Sequence, residues 1–179
     1  MHSKQAGREG IDEPLPGGPI SVAVMSLVRR AVPEDAEEVL RLRQVMLDSV
    51  HAANSTEWQA ESLPTMRDRL ADPDGGFAAF VVDHPQRLGA LAALAAGTVE
   101  YRIGRKGNPQ GRVGYVFSVA TDPDARRRGY ARACMETLLD WFREQDVRQV
   151  DLNASAEAEP LYASLGFVRK PDPSMRLEL

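Results

Sequence analysis

The stretch SVATDPDARRRGYARACMETLLDWF, residues 118 to 142, changes character twice. It opens as a short β-like run ending near Thr121, passes through an acidic turn with a proline and three consecutive arginines, and closes as a helix. From Ala125 to Glu144 the apolar period is helical: Ala131, Met135, Leu138 and Phe142 line one face, and Cys134 and Trp141 widen it. Between the two elements, Gly129 allows close backbone approach or dihedrals forbidden to other residues, and Ala131 keeps the surface low. The first N–H groups of a helix lack intrahelical acceptors and favour anions, so strand, turn and helix in this order can cradle phosphate oxygens with main chain alone. On the residues alone two readings stand: a solvated basic surface, or an anion cradle to which Arg126, Arg127 and Arg128 add charge. The common nucleotide signatures G-x-x-x-x-G-K-[ST] and G-x-G-x-x-G are both absent.

Working outward, RVGYVFSVATD (residues 112 to 122) reads as the strand leading into this stretch, and GRKGNPQG before it as a loop. LGALAALAAGTVEYRI, from Leu88, reads as a longer strand bounded by Gly89 and Gly97, although its alanines also suit a helix. FAAFVVD (77 to 83) is a further strand after the turn DPDGG. SLVRRAV (26 to 32) is a first strand, and Pro33, Glu34 and Asp35 open a helix carrying Val39, Leu42, Val45 and Met46 at helical spacing. Residues 56 to 70 form a second helical region, expected to break or restart near Pro64. On the C-terminal side come a strand VRQVDLNAS, a short helix AEPLYASLG, a closing strand FVRKPD, and MRLEL as a possible extra strand. The order is that of a mixed α/β domain with a crossover helix in its second half.

The 179 residues suit one domain. Residues 1 to 24 mix charge with glycine and proline and lack a signal-peptide core; they are expected to be a disordered extension to a single domain spanning 25 to 179. With 22 basic against 26 acidic residues, the formal charge of -4 argues against a surface built for nucleic acid or an anionic membrane. The single cysteine, Cys134, excludes an intramolecular disulfide and a multi-cysteine zinc site, no metal is expected, and a cytoplasmic location fits best. Its apolar neighbours predict a buried thiol.

Two motifs together carry a family resemblance. Arg126-Arg127-Arg128-Gly129-Tyr130-Ala131 resembles the Q/R-x-x-G-x-G/A signature of the GNAT superfamily of N-acetyltransferases, and LNAS followed by AEPLYASLGF resembles its second signature, with a tyrosine and a closing Leu-Gly-Phe. The resemblance spans about residues 26 to 170 and is strongest from Tyr115 onward. It implies an α/β fold with a mixed, mostly antiparallel central sheet flanked by helices, and acetyl-CoA as acyl donor. It further implies that main-chain groups of Val119 and Thr121, in the run Val119-Ala120-Thr121, hold the pantetheine arm. Amides from Arg127 through Gly129, Tyr130 and Ala131 would hold the pyrophosphate, with Arg126 and Arg127 at its rim and Asn153 beside the arm. Tyr162, at the family's tyrosine position, would protonate the coenzyme sulfur, as a phenol can for a thiolate. A homodimer is expected from family habit.

Acetyl transfer to an amine needs an uncharged nitrogen at the thioester carbon, donors for the oxyanion, and a proton for the leaving thiolate. For the base, Glu100 is the first candidate, with a solvated carboxylate as the equal alternative; Asp151 and Ser118 are weaker, and ordered water is a further route. Recognition of the amine-bearing small molecule or peptide is expected from His51, Asn54, Glu57 and Trp58. Arg102, Arg105, Lys106 and Arg112 form a basic loop, either solvated or attractive to an acidic acceptor. A degenerate module that binds coenzyme A or a partner without turnover is the competing reading.

Overall fold

The computed structural model describes residues 22–50, 55–171 and 173–177. The expected disordered extension falls almost wholly outside them, as do His51 and Asn54; its last residues form α1 (Val22–Met25), whose Val24 packs on the core. The elements that follow are β1 (Val28–Arg30), α2 (Ala36–Val50), α3 (Trp58–Ala71), β2 (Phe77–Asp83), β3 (Leu91–Tyr101), β4 (Arg112–Thr121), α4 (Tyr130–Glu144), β5 (Val150–Leu152) and α5 (Glu159–Ser164). The strands form one sheet in sequence order, antiparallel from β1 to β4 and parallel between β4 and β5. α4 supplies the crossover that a parallel pair requires.

The alanine-rich segment is a strand because both of its faces are covered. On one face Ala93 and Ala95 meet Met135, Leu138 and Phe142 of α4; on the other Leu94 and Ala96 meet Val39 and Leu42 of α2. Short side chains let α4 come close. The Phe142 ring lies so near Gly97 and Gly114 that a β-carbon at either would sit 2.8 or 2.9 Å from it. α2 is anchored by polar contacts at the far end of the sheet: Arg41 bonds the Asp122 carboxylate at 2.8 Å and the Leu91 carbonyl at 3.0 Å, and Glu38 accepts the Leu91 N–H at 2.8 Å.

Four expectations are corrected. α3 runs through Pro64 without a break; the proline and Ala60, whose carbonyl loses its helical donor, are both exposed, so water can replace the missing bond. α4 begins at Tyr130, because Pro123–Ala125 form a separate 3-10 turn and Arg126 returns to extended backbone. β5 is confined to Val150–Leu152 within the longer predicted strand. Neither FVRKPD nor MRLEL contributes a strand among the described residues; side-chain ion pairs hold the first of them, with Lys170 2.7 Å from Asp151 and Arg169 paired with Glu159. Among those residues no helix is long and apolar enough to cross a membrane.

Candidate active site

β4 leaves β5 halfway along its length. Gly114, Tyr115 and Val116 pair with Val150, Asp151 and Leu152, and nothing pairs with that edge of β4 beyond them among the described residues. The register to β3 shifts at the same place: Gly97 faces Val116 and Ala96 faces Ser118, so Phe117 is the extra residue of a β-bulge. The bulge changes which peptide groups face the open edge. Before it, the Gly114 N–H points to β5 and bonds the Gln149 carbonyl at 2.9 Å. After it, the Asp122 N–H bonds Ala92 of β3 at 2.8 Å. By the alternation of an antiparallel ladder, Ala120 and Ser118 then also face β3, while Val119 and Thr121 turn their peptide groups to the unpaired side. The Ala120 side chain belongs to the apolar cluster under α2, so the contribution of this residue to the open edge is spacing.

The loop below this edge presents exposed main chain and free N–H groups. Arg127 (φ 60°) and Gly129 (φ 79°) both adopt left-handed backbone. Among the described residues no side chain caps α4, and its first helical bond runs from the Ala133 N–H to Gly129, leaving the N–H groups of Tyr130, Ala131 and Arg132 ahead of it. Arg126, Arg127 and Arg128 are exposed; Arg128 reaches the Asp124 carbonyl at 3.3 Å, and no side-chain bond engages the other two among the described residues. The Tyr130 ring turns inward and is core, so only its main chain faces the loop. Two acids preceding the loop are already neutralised. Asp122 pairs with Arg41 and Arg87, and His84 donates through Nε2 to Asp124 at 2.8 Å while its Nδ1 accepts the Gln86 N–H. Burial alone would raise the Asp122 pKa, but hydrogen bonds from the Arg87 and Arg41 guanidiniums bring it down to about 2. His84, Asp122 and Asp124 stand close enough to share an ion, yet these pairings occupy them as a structural ion cluster.

Across the gap, α5 brings Tyr162 into the same apolar cluster as Val119, Tyr130 and Leu152. Its ring meets Phe167 edge-on, with centroids 6.0 Å apart; burial raises its pKa, so the phenol stays protonated at neutral pH. The hydroxyl makes no hydrogen bond among the described residues, and Arg132 of α4 fastens α5 through Ser164. Asn153, just past β5, donates to the Tyr115 hydroxyl at 2.9 Å.

Glu100 stands apart from these groups. It pairs with Val113 at the other end of β3, its carboxylate is 39% exposed and bonded to Arg102, and it does not line the cavity next to β4. Asp151 is buried, which by itself would raise its pKa, but hydrogen bonds from Lys170 and Gln149 with the charges of Lys170 and Arg102 together lower it. Burial pushes the Cys134 thiol up to about 12, as its place inside α4 predicted.

That cavity, of about 500 Å³, opens between α2, α3 and the sheet. Leu94, Ala96, Phe77 and Phe117 form its apolar wall; Arg43, Glu61 and Ser118 are among its polar groups, and Trp58 closes one side with its indole N–H bonded to Gln44 at 2.8 Å. Of the residues expected to recognise the acceptor, Trp58 is therefore placed at the cavity and Glu57 is not. Arg43 was missed from the sequence; its signal is a cation set directly beside the apolar stripe of α2, next to Leu42. Its Nη1 donates to the carbonyl of the bulge residue Phe117 and, at 2.8 Å, to Ser118 Oγ, and burial lowers its pKa.

The model of the acetyltransferase (GNAT) family matches residues 43–167. The chain belongs to this family. Similar GNAT-fold architecture is found in the crystal structure of a predicted acetyltransferase with acetyl-CoA from Clostridium acetobutylicum, which superposes with a TM-score of 0.70 at 22% identity, covering 85% of this chain and 94% of that one. Among curated proteins, a rice glucosamine 6-phosphate N-acetyltransferase (Oryza sativa subsp. japonica) is 37% identical over 82 residues, 46% of this chain and 48% of its own length. A ribosomal protein bS18 alanine N-acetyltransferase of Escherichia coli K12 is 40% identical over 55 residues, 29% of this chain and 37% of its own. The match therefore spans about half or less of the length of these curated relatives.

Proposed function

We propose that this GNAT protein transfers an acetyl group from acetyl-CoA to a primary amine of a small molecule or peptide, by direct attack in a ternary complex. The observation that carries the reading is the unpaired edge of β4 after the Phe117 bulge, continuous with the uncapped start of α4. In this reading the pantetheine arm lies along that edge as an added strand, bonding the main chain of Val119 and Thr121. The pyrophosphate rests on the amides from Arg127 through Ala131, with Arg126 and Arg127 at its rim. Asn153 flanks the arm.

The acceptor enters from the cavity side, because Phe117 and Ser118 belong both to the bulge and to the cavity wall. The amine nitrogen attacks the thioester carbonyl carbon and forms the C–N bond; the oxyanion is met by a main-chain N–H of the open edge. Collapse breaks the C–S bond, the former amine nitrogen gives up its remaining extra proton to cavity water to leave the amide, and Tyr162 donates its proton to the departing thiolate, to be reprotonated from solvent. The ammonium loses its proton to cavity water before attack. Glu100 is assigned no step, since it is tied to Arg102 away from the cavity.

The test is thiol release from acetyl-CoA by the purified full chain against amines, amino acids, amino sugars and N-terminal peptides. Release that depends on the amine, with one N-acetylated product per thiol, is expected. Coenzyme binding without amine-dependent release from any acceptor would replace this reading with that of a binding module.

A further inference from the structure

The cavity carries more positive than negative charge, although the chain as a whole is acidic at -4. Arg43 and Arg69 line it against one carboxylate, Glu61, among the described residues. Several arginines elsewhere in this protein sit in ion pairs, Arg29 with Asp35, Arg41 with Glu38, Arg67 with Glu37 and Arg87 with Asp122, while others, such as Arg126 and Arg127 in the exposed loop before α4, do not. Arg43 and Arg69 have no such partner among the described residues. Arg69 lies over the Phe77 ring, 5.9 Å from its centroid, and among the described residues the Arg43 guanidinium hydrogen-bonds neutral groups alone: a carbonyl, a hydroxyl and the Met46 sulfur.

A half-buried guanidinium without an anion is a costly arrangement, and here it is held in place with some of its donors unused. Nη1 is engaged by Phe117 and Ser118, while Nε and Nη2 make no hydrogen bond among the described residues. Together these two nitrogens form a fork that matches the two oxygens of a carboxylate or phosphate. The same contacts fix the fork's distance from the chemistry. Ser118 immediately precedes Val119, where the open edge of β4 begins, so an anion on Arg43 sits a few bonds from a nitrogen placed at that edge.

We propose that the acceptor is a compact primary amine that also carries an oxyanion, a carboxylate or a phosphate, bound by Arg43 with Arg69 adding to the attractive field. This rests on the acetyltransferase reading and narrows its substrate class. The apolar wall of Leu94, Ala96 and Phe117 receives the carbon skeleton between the two polar ends. The volume suits a metabolite-sized molecule.

The experiment is calorimetric titration of the full chain, saturated with coenzyme A, with matched pairs that differ only in the anion. An amino acid is compared with its amide, and a hexosamine 6-phosphate with the unphosphorylated hexosamine, which separates carboxylate from phosphate as the source. At least one anionic member should bind roughly 10- to 150-fold more tightly than its neutral partner, the worth of one charge-assisted hydrogen bond. Arg43→Met should abolish that preference, and Arg67→Gln, outside the cavity, should leave it intact. Arg43→Lys keeps the charge but loses the fork and should retain only part of the preference, which keeps the test decisive if the Met variant does not fold. Equal binding of both members of every pair, no binding of any, or a preference that survives both Arg43 variants would overturn the proposal. Failure of coenzyme A itself to bind would instead overturn the acetyltransferase reading.

Discussion

Gly129→Ala separates the cost of a backbone conformation from the loss of a ligand contact. Gly129 has φ +79° and a β-carbon there would meet nothing within 4 Å; Gly89, in the turn between β2 and β3, has φ +76° and equally open space. Placing an L-residue in left-handed backbone costs roughly 1–2 kcal/mol, so both alanine variants should lose about that much stability. For a domain of this size that is a fall in Tm of about 2–8 °C. Only at Gly129 does the added methyl project from the loop that starts α4, where phosphate oxygens must approach the amides. Loss of one charge-assisted hydrogen bond there is worth about 1.5–3 kcal/mol, a roughly 10- to 150-fold weaker Kd. Differential scanning calorimetry reads the first effect and titration with acetyl-CoA the second. If Gly129→Ala binds acetyl-CoA within about two-fold of wild type while showing the same Tm loss as Gly89→Ala, the loop is not the pyrophosphate cradle and the reasoning fails.

Three further outcomes follow from the packing and charge of the fold. Gly114→Ala sets a methyl 2.9 Å from two atoms of the buried Phe142 ring and should destabilise by about 1–3 kcal/mol. Combined with Phe142→Leu it should lose less than the sum of the two single changes; strict additivity in denaturant melts would mean that the ring does not rest on the glycine. Asp122 has its pKa lowered to about 2, so its ion pairs stabilise the fold above the unfolded carboxylate pKa and lose that contribution as pH falls from there through about 2. Asp122→Asn should therefore flatten the acid limb of the stability profile by on the order of 2 kcal/mol, and an unchanged limb would refute the assignment. Cys134, buried and with its thiol pushed up to about 12, should react with a thiol reagent only as fast as the protein unfolds; prompt labelling of the native chain would contradict its placement.

The parts of the site that run along the chain were readable in the sequence, and the parts assembled across it were not. RRRGYA sits between one strand and one helix, so its order alone placed Gly129 and Ala131 near the strand-to-helix junction, although the helical period was read from Ala125 and α4 begins at Tyr130. The left-handed backbone at Arg127 gave no such signal, because arginine carries no preference for it. The Phe117 bulge was also hidden: a single extra residue leaves a β-rich segment looking regular, yet it decides that Val119 and Thr121 face the open edge. Arg43 reads as a surface residue of an amphipathic helix until α3 and β4 are seen to enclose it. Glu100 and the cavity lie at different ends of β3, a separation that strand-face reasoning could not supply. Pro64 was read by its local rule, which failed because α3 exposes the side that lost a hydrogen bond.

The central claim is that acetyl-CoA occupies the gap between β4 and β5 and rests its phosphates on the start of α4. Amide chemical-shift mapping of the full chain during titration with acetyl-CoA tests it most directly. The account predicts that the largest saturable shifts fall on Val119, Thr121 and the amides from Arg127 to Ala131, with smaller shifts near Asn153 and Tyr162. Shifts confined to the cavity between α2 and α3, with the open edge of β4 and the Arg127–Ala131 loop unmoved, would contradict it.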